Sequence, residues 1–131
     1  MRTIKHLSAR NFYLVVAIGW TALIFYLCLT ESSNLPKIKI PFKDKFIHAV
    51  FYLVFVLLSY RSLLKKNKNG KSIAYICLGS LGLGIFIEVL QDQVTVSRAF
   101  DVYDIAANFT GTILAIMLIH IKKYITQKIV V

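Results

Sequence analysis

Residues 12–30, FYLVVAIGWTALIFYLCLT, run nineteen positions without a charged side chain. A helix needs roughly 20 predominantly apolar residues to cross about 30 Å of hydrocarbon, so this stretch is close to that length. Three further runs repeat the pattern. Residues 46–64, FIHAVFYLVFVLLSYRSLL, are interrupted only by His48 and Arg61 near their ends. Residues 73–91, IAYICLGSLGLGIFIEVLQ, carry Glu88 near their end, and residues 102–121, VYDIAANFTGTILAIMLIHI, carry Asp104 near their start. Lipid cannot satisfy an open backbone, so each run that crosses it must be a helix. Four core helices of a soluble protein would need polar faces, and these have almost none. The sequence therefore predicts an all-α fold, an integral membrane four-helix bundle in a single domain over residues 1–131. Its spans fall at about 12–30, 46–64, 73–91 and 102–121.

Composition agrees. The chain is 57% hydrophobic and 17% charged, more apolar and poorer in charge than soluble domains, which run near 45–50% and about 25%. Intrinsic disorder is excluded by the hydrophobicity, and two cysteines cannot build a disulfide scaffold. Cys28 and Cys77 fall toward opposite ends of their spans, which predicts two free thiols. Basic residues precede the first run as in a signal peptide, but the run is too long for one and no small-residue cleavage site follows. An uncleaved first span is expected. Leu27 before Cys28 is not the small residue that a lipidation site wants.

Sixteen Lys and Arg against six acids give a net charge of +10. In a soluble protein this would suggest nucleic acid. Here eleven of the sixteen lie in the N-terminal segment, the loop between spans two and three, and the C-terminal tail, and five lie on the other side. Basic residues beside spans mark the cytoplasmic face, so both termini are predicted cytoplasmic and the charge is a topology signal. Nucleic acid is not an expected partner. The basic loop at 65–72 reads as a turn in contact with anionic headgroups. The longest loop, 31–45, holds Pro36 and Pro41, which exclude a helix through it; its KIKI alternates like a strand or an interfacial segment.

All six acids, Glu31, Asp44, Glu88, Asp92, Asp101 and Asp104, fall on the outer side of this topology. Asp44 and His48 are four apart and share a helical face, which Tyr52 continues one turn deeper. Glu88 and Gln91 are three apart at the end of span three. Asp101, Asp104, Asn108 and Gly111 descend span four as one stripe, with Arg98 just before it. Together these predict a polar, carboxylate-rich pocket at the outer membrane face. Ionisable residues within spans are expensive, face the bundle interior or water, and tend to be functional. A purely structural role competes with this, in which Arg98 pairs with Asp101 or Glu88, and Gln91 bonds Asn108, to fix the bundle. His6 and His120 read as interfacial. Gly79, Ser80, Gly82 and Gly84 read as a small-residue packing face, with Ser80 and Gly84 one turn apart.

Two blocks, DKFIHAVFY over residues 44–52 and EVLQDQVTVSRAFDVYDIAANFTG over residues 88–111, resemble the VanZ-like family. The second block carries Glu88, Gln91, Arg98, Asp101, Asp104, Asn108 and Gly111 at fixed spacing, and Ser32-Ser33 adds a weaker likeness. The resemblance covers roughly residues 26–115. Between Gln91 and Arg98 the residues DQVTVS are more polar than the family pattern. The resemblance implies a small multi-pass protein of the bacterial cytoplasmic membrane. The family is named for a member associated with resistance to the glycopeptide teicoplanin, and it supplies no settled biochemical mechanism.

Three functions stay open. One is a binding module for a lipid headgroup, a lipid-linked or glycopeptide ligand, or a partner helix, with Arg98, Asp101, Asn108, Gln91, Tyr52, Lys43, Lys45 and His48 as contacts. Arg98 suits a phosphate or carboxylate. The second is an envelope enzyme acting on a lipid-linked substrate. His48, Asp44, Glu88 and Asp104 are then the acid–base candidates, and Asp44, His48, Glu88, Asp101 and Asp104 are candidate ligands for a divalent cation. No nucleophile motif accompanies them. The third is a small transporter or proton relay, disfavoured because the polar stripe stops near Asn108; a continuous path would require a homo-oligomer.

Overall fold

The computed structural model describes residues 2–31, 34, 42–63 and 70–129, with side-chain surroundings from residue 9 onward. It is all-helical over these residues: α1 (Arg2–Leu29), α2 (Lys43–Ser62), α3 (Gly70–Val94) and α4 (Val102–Ile129). Each holds a segment long and apolar enough to span a membrane, so the chain is a multi-pass membrane protein by length and composition. The Ser32-Ser33 pair, the prolines and KIKI of the first loop, the basic residues 65–68 and the His6 side chain lie outside the described residues.

The helices overrun the apolar runs. α1 starts ten residues before Phe12, and α4 continues eight residues past Ile121 through Lys122, Lys123 and Lys128. Hydropathy marks only the part of a helix inside hydrocarbon. The backbone bonds continue into the headgroup zone, where lysine and arginine side chains are solvated. At the Arg61 end, the guanidinium lies over the Tyr13 ring at 5.6 Å, and the Lys123 ammonium stands 6.0 Å from the Tyr60 ring centre. Both suit cations attracted to aromatic faces.

The distribution of side chains is inverted relative to a soluble protein. Phe12, Val15, Tyr75, Leu78, Phe86 and Met117 are exposed, while His48, Ser80, Glu88, Asp104, Asn108 and Thr112 are buried. An outer surface this apolar matches a hydrocarbon solvent, and the polar groups turn inward where partners exist.

α2 and α3 each touch all three other helices, whereas α1 and α4 do not meet among the described residues. The most intimate pair is α2 with α4, which run parallel. Ala49 faces Gly111, and Val56 and Tyr60 pack with Ala115 and Ile119. The small residues Ala49 and Gly111 let this non-sequential pair approach closely. A second apolar cluster joins Ile24 and Cys28 of α1 to Ile87 of α3, flanked by Trp20 and Phe51. The Trp20 indole N–H donates to the Phe51 carbonyl oxygen at 3.0 Å, tying α1 to α2. Ser80 and Thr112 share a 2.7 Å hydroxyl bond between α3 and α4. Cys28 is buried and Cys77 half-buried, and both are free thiols.

The small-residue face of α3 is half of what the sequence suggested. Ser80 and Gly84 are buried on it, but an added Cβ at Gly79 or Gly82 would meet nothing within 4 Å. In a membrane helix both the protein-facing and the lipid-facing sides are apolar, so glycine spacing alone does not tell them apart.

Candidate functional site

The polar cluster occupies the end of the bundle where α1 and α3 finish and α2 and α4 begin. Asp44 lies in the first turn of α2 and Asp104 in the first turn of α4. Helix starts present free N–H groups and the positive end of the helix dipole, so carboxylates are favoured there. Asp101 caps α4: its Oδ1 accepts from the Tyr103 N–H at 2.8 Å and its carbonyl from the Asp104 N–H at 3.0 Å. This is the N-cap geometry that aspartate favours.

Lys45 bridges α2 to α4. Its ammonium donates to Asp101 and to Asp104. The Asp101 carboxyl is held below the ordinary carboxylate range, first by the Lys45 bond and then by the Tyr103 N–H. The pairing that the sequence left with Arg98 therefore belongs to Lys45. No described carboxylate lies within 4.0 Å of Arg98, which is half-buried. A lysine one residue after Asp44 at a helix start has the reach and the parallel neighbour, but sequence spacing cannot show that α4 lies beside it.

One turn deeper sits His48, 2% exposed. Its Nδ1 is 3.1 Å from Asn108 Oδ1, an acceptor when the amide is placed this way, so Nδ1 carries the proton. Glu88 Oε1 is 3.9 Å from Nδ1, and Asp104 Oδ2 is 3.8 Å from Nε2. Neither is a hydrogen bond. Glu88 is fully buried, and its Oε2 accepts from the Asp101 N–H at 3.3 Å. Among the described residues its Oε1, the Tyr52 hydroxyl and Gln91 Oε1 are buried without a hydrogen-bond partner. Gly84 makes room for this layer: a Cβ there would stand 3.1 Å from Asn108 Nδ2 and 3.5 Å from the Tyr52 hydroxyl. The Gln91–Asn108 bond of the purely structural alternative is not made among the described residues; Asn108 is used by His48.

The remaining acids hold the α3–α4 loop. Glu31, just past α1, accepts from the Val96 N–H at 2.8 Å, the Ser97 N–H at 3.1 Å and the Ser97 hydroxyl. These bonds keep its carboxyl below its ordinary value, the Ser97 hydroxyl first. Asp92 Oδ1 accepts from the Phe100 N–H at 3.1 Å. Sequence reasoning placed both acids at this end but assigned them no task, because a carboxylate that accepts from distant backbone leaves no spacing signal. His120 bonds the Ile116 carbonyl within α4 and stays outside the cluster.

The structure thus brings Asp44, Lys45, His48, Tyr52, Glu88, Gln91, Asp104 and Asn108 into one end of the bundle. Asp101 sits above them as a cap, and Arg98, at the same end, forms no ion pair with the described carboxylates. An imidazole flanked by two carboxylates can exchange protons or hold a cation; the unpartnered oxygens can accept from an incoming group. Compared with models of known protein families, with curated proteins and with solved structures, the chain matches none.

Proposed function

We propose that this chain is a VanZ-like protein of the bacterial cytoplasmic membrane, with both termini cytoplasmic, that binds the polar head of a lipid, lipid-linked or glycopeptide ligand at the outer membrane face. The two sequence blocks support the family and the basic residues support the orientation. The observation that carries the binding reading is the set of Tyr52 hydroxyl, Glu88 Oε1 and Gln91 Oε1, all buried and unpartnered. Buried polar atoms without partners are few in folded proteins and call for an explanation; a ligand's hydroxyl or amide groups supply one. Arg98, with no described carboxylate within 4.0 Å, is the contact for a phosphate or carboxylate on the same ligand.

Native mass spectrometry of the purified chain with phosphatidylglycerol and with phosphatidylcholine tests this. Several-fold better retention of the anionic lipid is expected, and Arg98→Ala removes the preference. Equal retention of both lipids by the parent chain overturns the reading. A link to glycopeptide resistance is tested separately: expression in susceptible bacteria should raise the teicoplanin concentration needed to stop growth, and no rise removes that link.

A second reading, an envelope enzyme using acid–base chemistry, is favoured by the position of His48 between Glu88 at 3.9 Å and Asp104 at 3.8 Å. An alanine scan of His48, Glu88, Asp104 and Asn108 scored for folded yield and for an envelope phenotype bears on it. Loss of phenotype at normal yield, with lipid retention intact, separates turnover from binding.

A further inference from the structure

The site end of the bundle holds more carboxyl groups than cations paired with them. Asp44, Glu88, Asp101 and Asp104 gather around His48, and among the described residues Lys45 is the one lysine or arginine paired with any of them. Unbalanced charge at membrane depth is costly. Lys45 binds Asp101 and only Oδ1 of Asp104, leaving Asp104 Oδ2 directed at His48 Nε2, 3.8 Å away. That separation is too long for a hydrogen bond. On the far side of the ring, Glu88 Oε1 is fully buried, lacks a partner and lies 3.9 Å from Nδ1.

One ligand atom each from Asp44, His48 and Asp104 lie within 4.8 Å of one another. Two donors about 2.1 Å from a common tetrahedral ion stand about 3.4 Å apart, so the 3.8 Å between His48 Nε2 and Asp104 Oδ2 shortens by a few tenths of an ångström on binding, and Asp44, half-buried at the start of α2, draws in with them. The Asn108 bond on Nδ1 fixes the tautomer whose Nε2 lone pair faces Asp104 Oδ2. A hydrogen-bonded far nitrogen is the usual support of a metal-binding histidine.

We propose that Asp44, His48 Nε2 and Asp104 Oδ2 form a site for a first-row divalent transition metal, with Lys45 competing for Asp104. Imidazole with two carboxylates suits such an ion, and three protein ligands leave a position for water or a ligand. The site does not depend on which headgroup the bundle binds.

The test uses the full chain in detergent, stripped with chelator, titrated with Zn2+ and with Co2+ as a visible-absorbing stand-in. One Zn2+ per chain is expected, displacing Co2+ and its absorption bands. His48→Gln and Asp104→Asn each weaken Zn2+ by tenfold or more. Asp44→Asn, at the rim and so least able to disturb folding, weakens it several-fold. Lys45→Ala tightens it several-fold by removing a competing cation. Asp92→Asn, at the same end but outside the triad, leaves it unchanged, and circular dichroism checks that each variant is helical. Absence of stoichiometric Zn2+, or equal affinity in parent, Asp44→Asn and Asp92→Asn chains, overturns the site. Weaker binding in Lys45→Ala overturns the competition.

Discussion

His48 and Asp101 show how differently two residues of one polar cluster are held. His48 depends on a single bond to Asn108, so Asn108→Ala leaves the buried Nδ1 proton unpaired. Interhelical hydrogen bonds in membranes are worth about 0.6 kcal/mol on average and at most about 1.7, and an unpaired buried donor adds to the loss. We expect a destabilisation of about 1–2 kcal/mol, read as a lower unfolding midpoint in detergent. Asp101 is held instead by Lys45 and the Tyr103 N–H, which depress its pKa. A carboxyl with a depressed folded-state pKa contributes stability that is present above its unfolded value, near 4, and is lost as pH falls through the depressed value. The stability gap between the parent chain and Asp101→Asn should therefore be constant above about pH 5 and narrow as the pH drops toward the depressed value. Thermal unfolding across pH 6 to 2 measures it, and a gap that widens in acid contradicts the assignment. The sequence placed Asp101 at the head of the stripe but did not read it as a cap, although aspartate before an apolar run is a helix-start signal. Its partner Lys45 left no such signal, because contacts 56 positions apart follow from packing alone.

Gly111 decides whether α2 and α4 can meet. A Cβ there would lie 2.0 Å from the Ala49 carbonyl oxygen and 2.8 Å from its carbon. Both are backbone atoms, so nothing short of separating the helices relieves the clash. Gly111→Ala should cost at least the upper end of the usual 1–3 kcal/mol for overpacking and lower the yield of folded protein. Gly82→Ala, with nothing within 4 Å of the new methyl, should be neutral or slightly stabilising. Comparing the two by size-exclusion chromatography and unfolding midpoint separates close packing from a general glycine effect. Gly111 was readable as the last step of the Asp101–Asp104–Asn108 stripe, which places it on the buried face. Gly79 and Gly82 carried the same residue type without that polar context, and they lie on the lipid side. Polar periodicity identified the inward face of α4 where small-residue spacing misassigned part of α3.

The whole bundle was legible because hydropathy is a property of each helix alone, whereas the parallel α2–α4 contact and the length of the helical tails depend on neighbours and on headgroup solvation. Orientation is the feature on which the placement of the site rests. Six acids share one end of the molecule with Lys43, Lys45 and Arg98, and the opposite end carries Arg61, Lys71, Lys122, Lys123 and Lys128. The basic excess at that second end, in short segments beside the spans, is the pattern that holds an end in the cytoplasm. Exposure offers two reporters. Val96, in the loop between α3 and α4, is 98% exposed, and Thr126, near the end of α4, is exposed as well. In a chain with Cys28→Ser and Cys77→Ser, a membrane-impermeant maleimide should label Val96→Cys in intact bacteria. It should label Thr126→Cys only after the membrane is broken. The reverse pattern would put the carboxylate cluster on the cytoplasmic side, and the ligand would then have to be sought among cytoplasmic headgroups and ions.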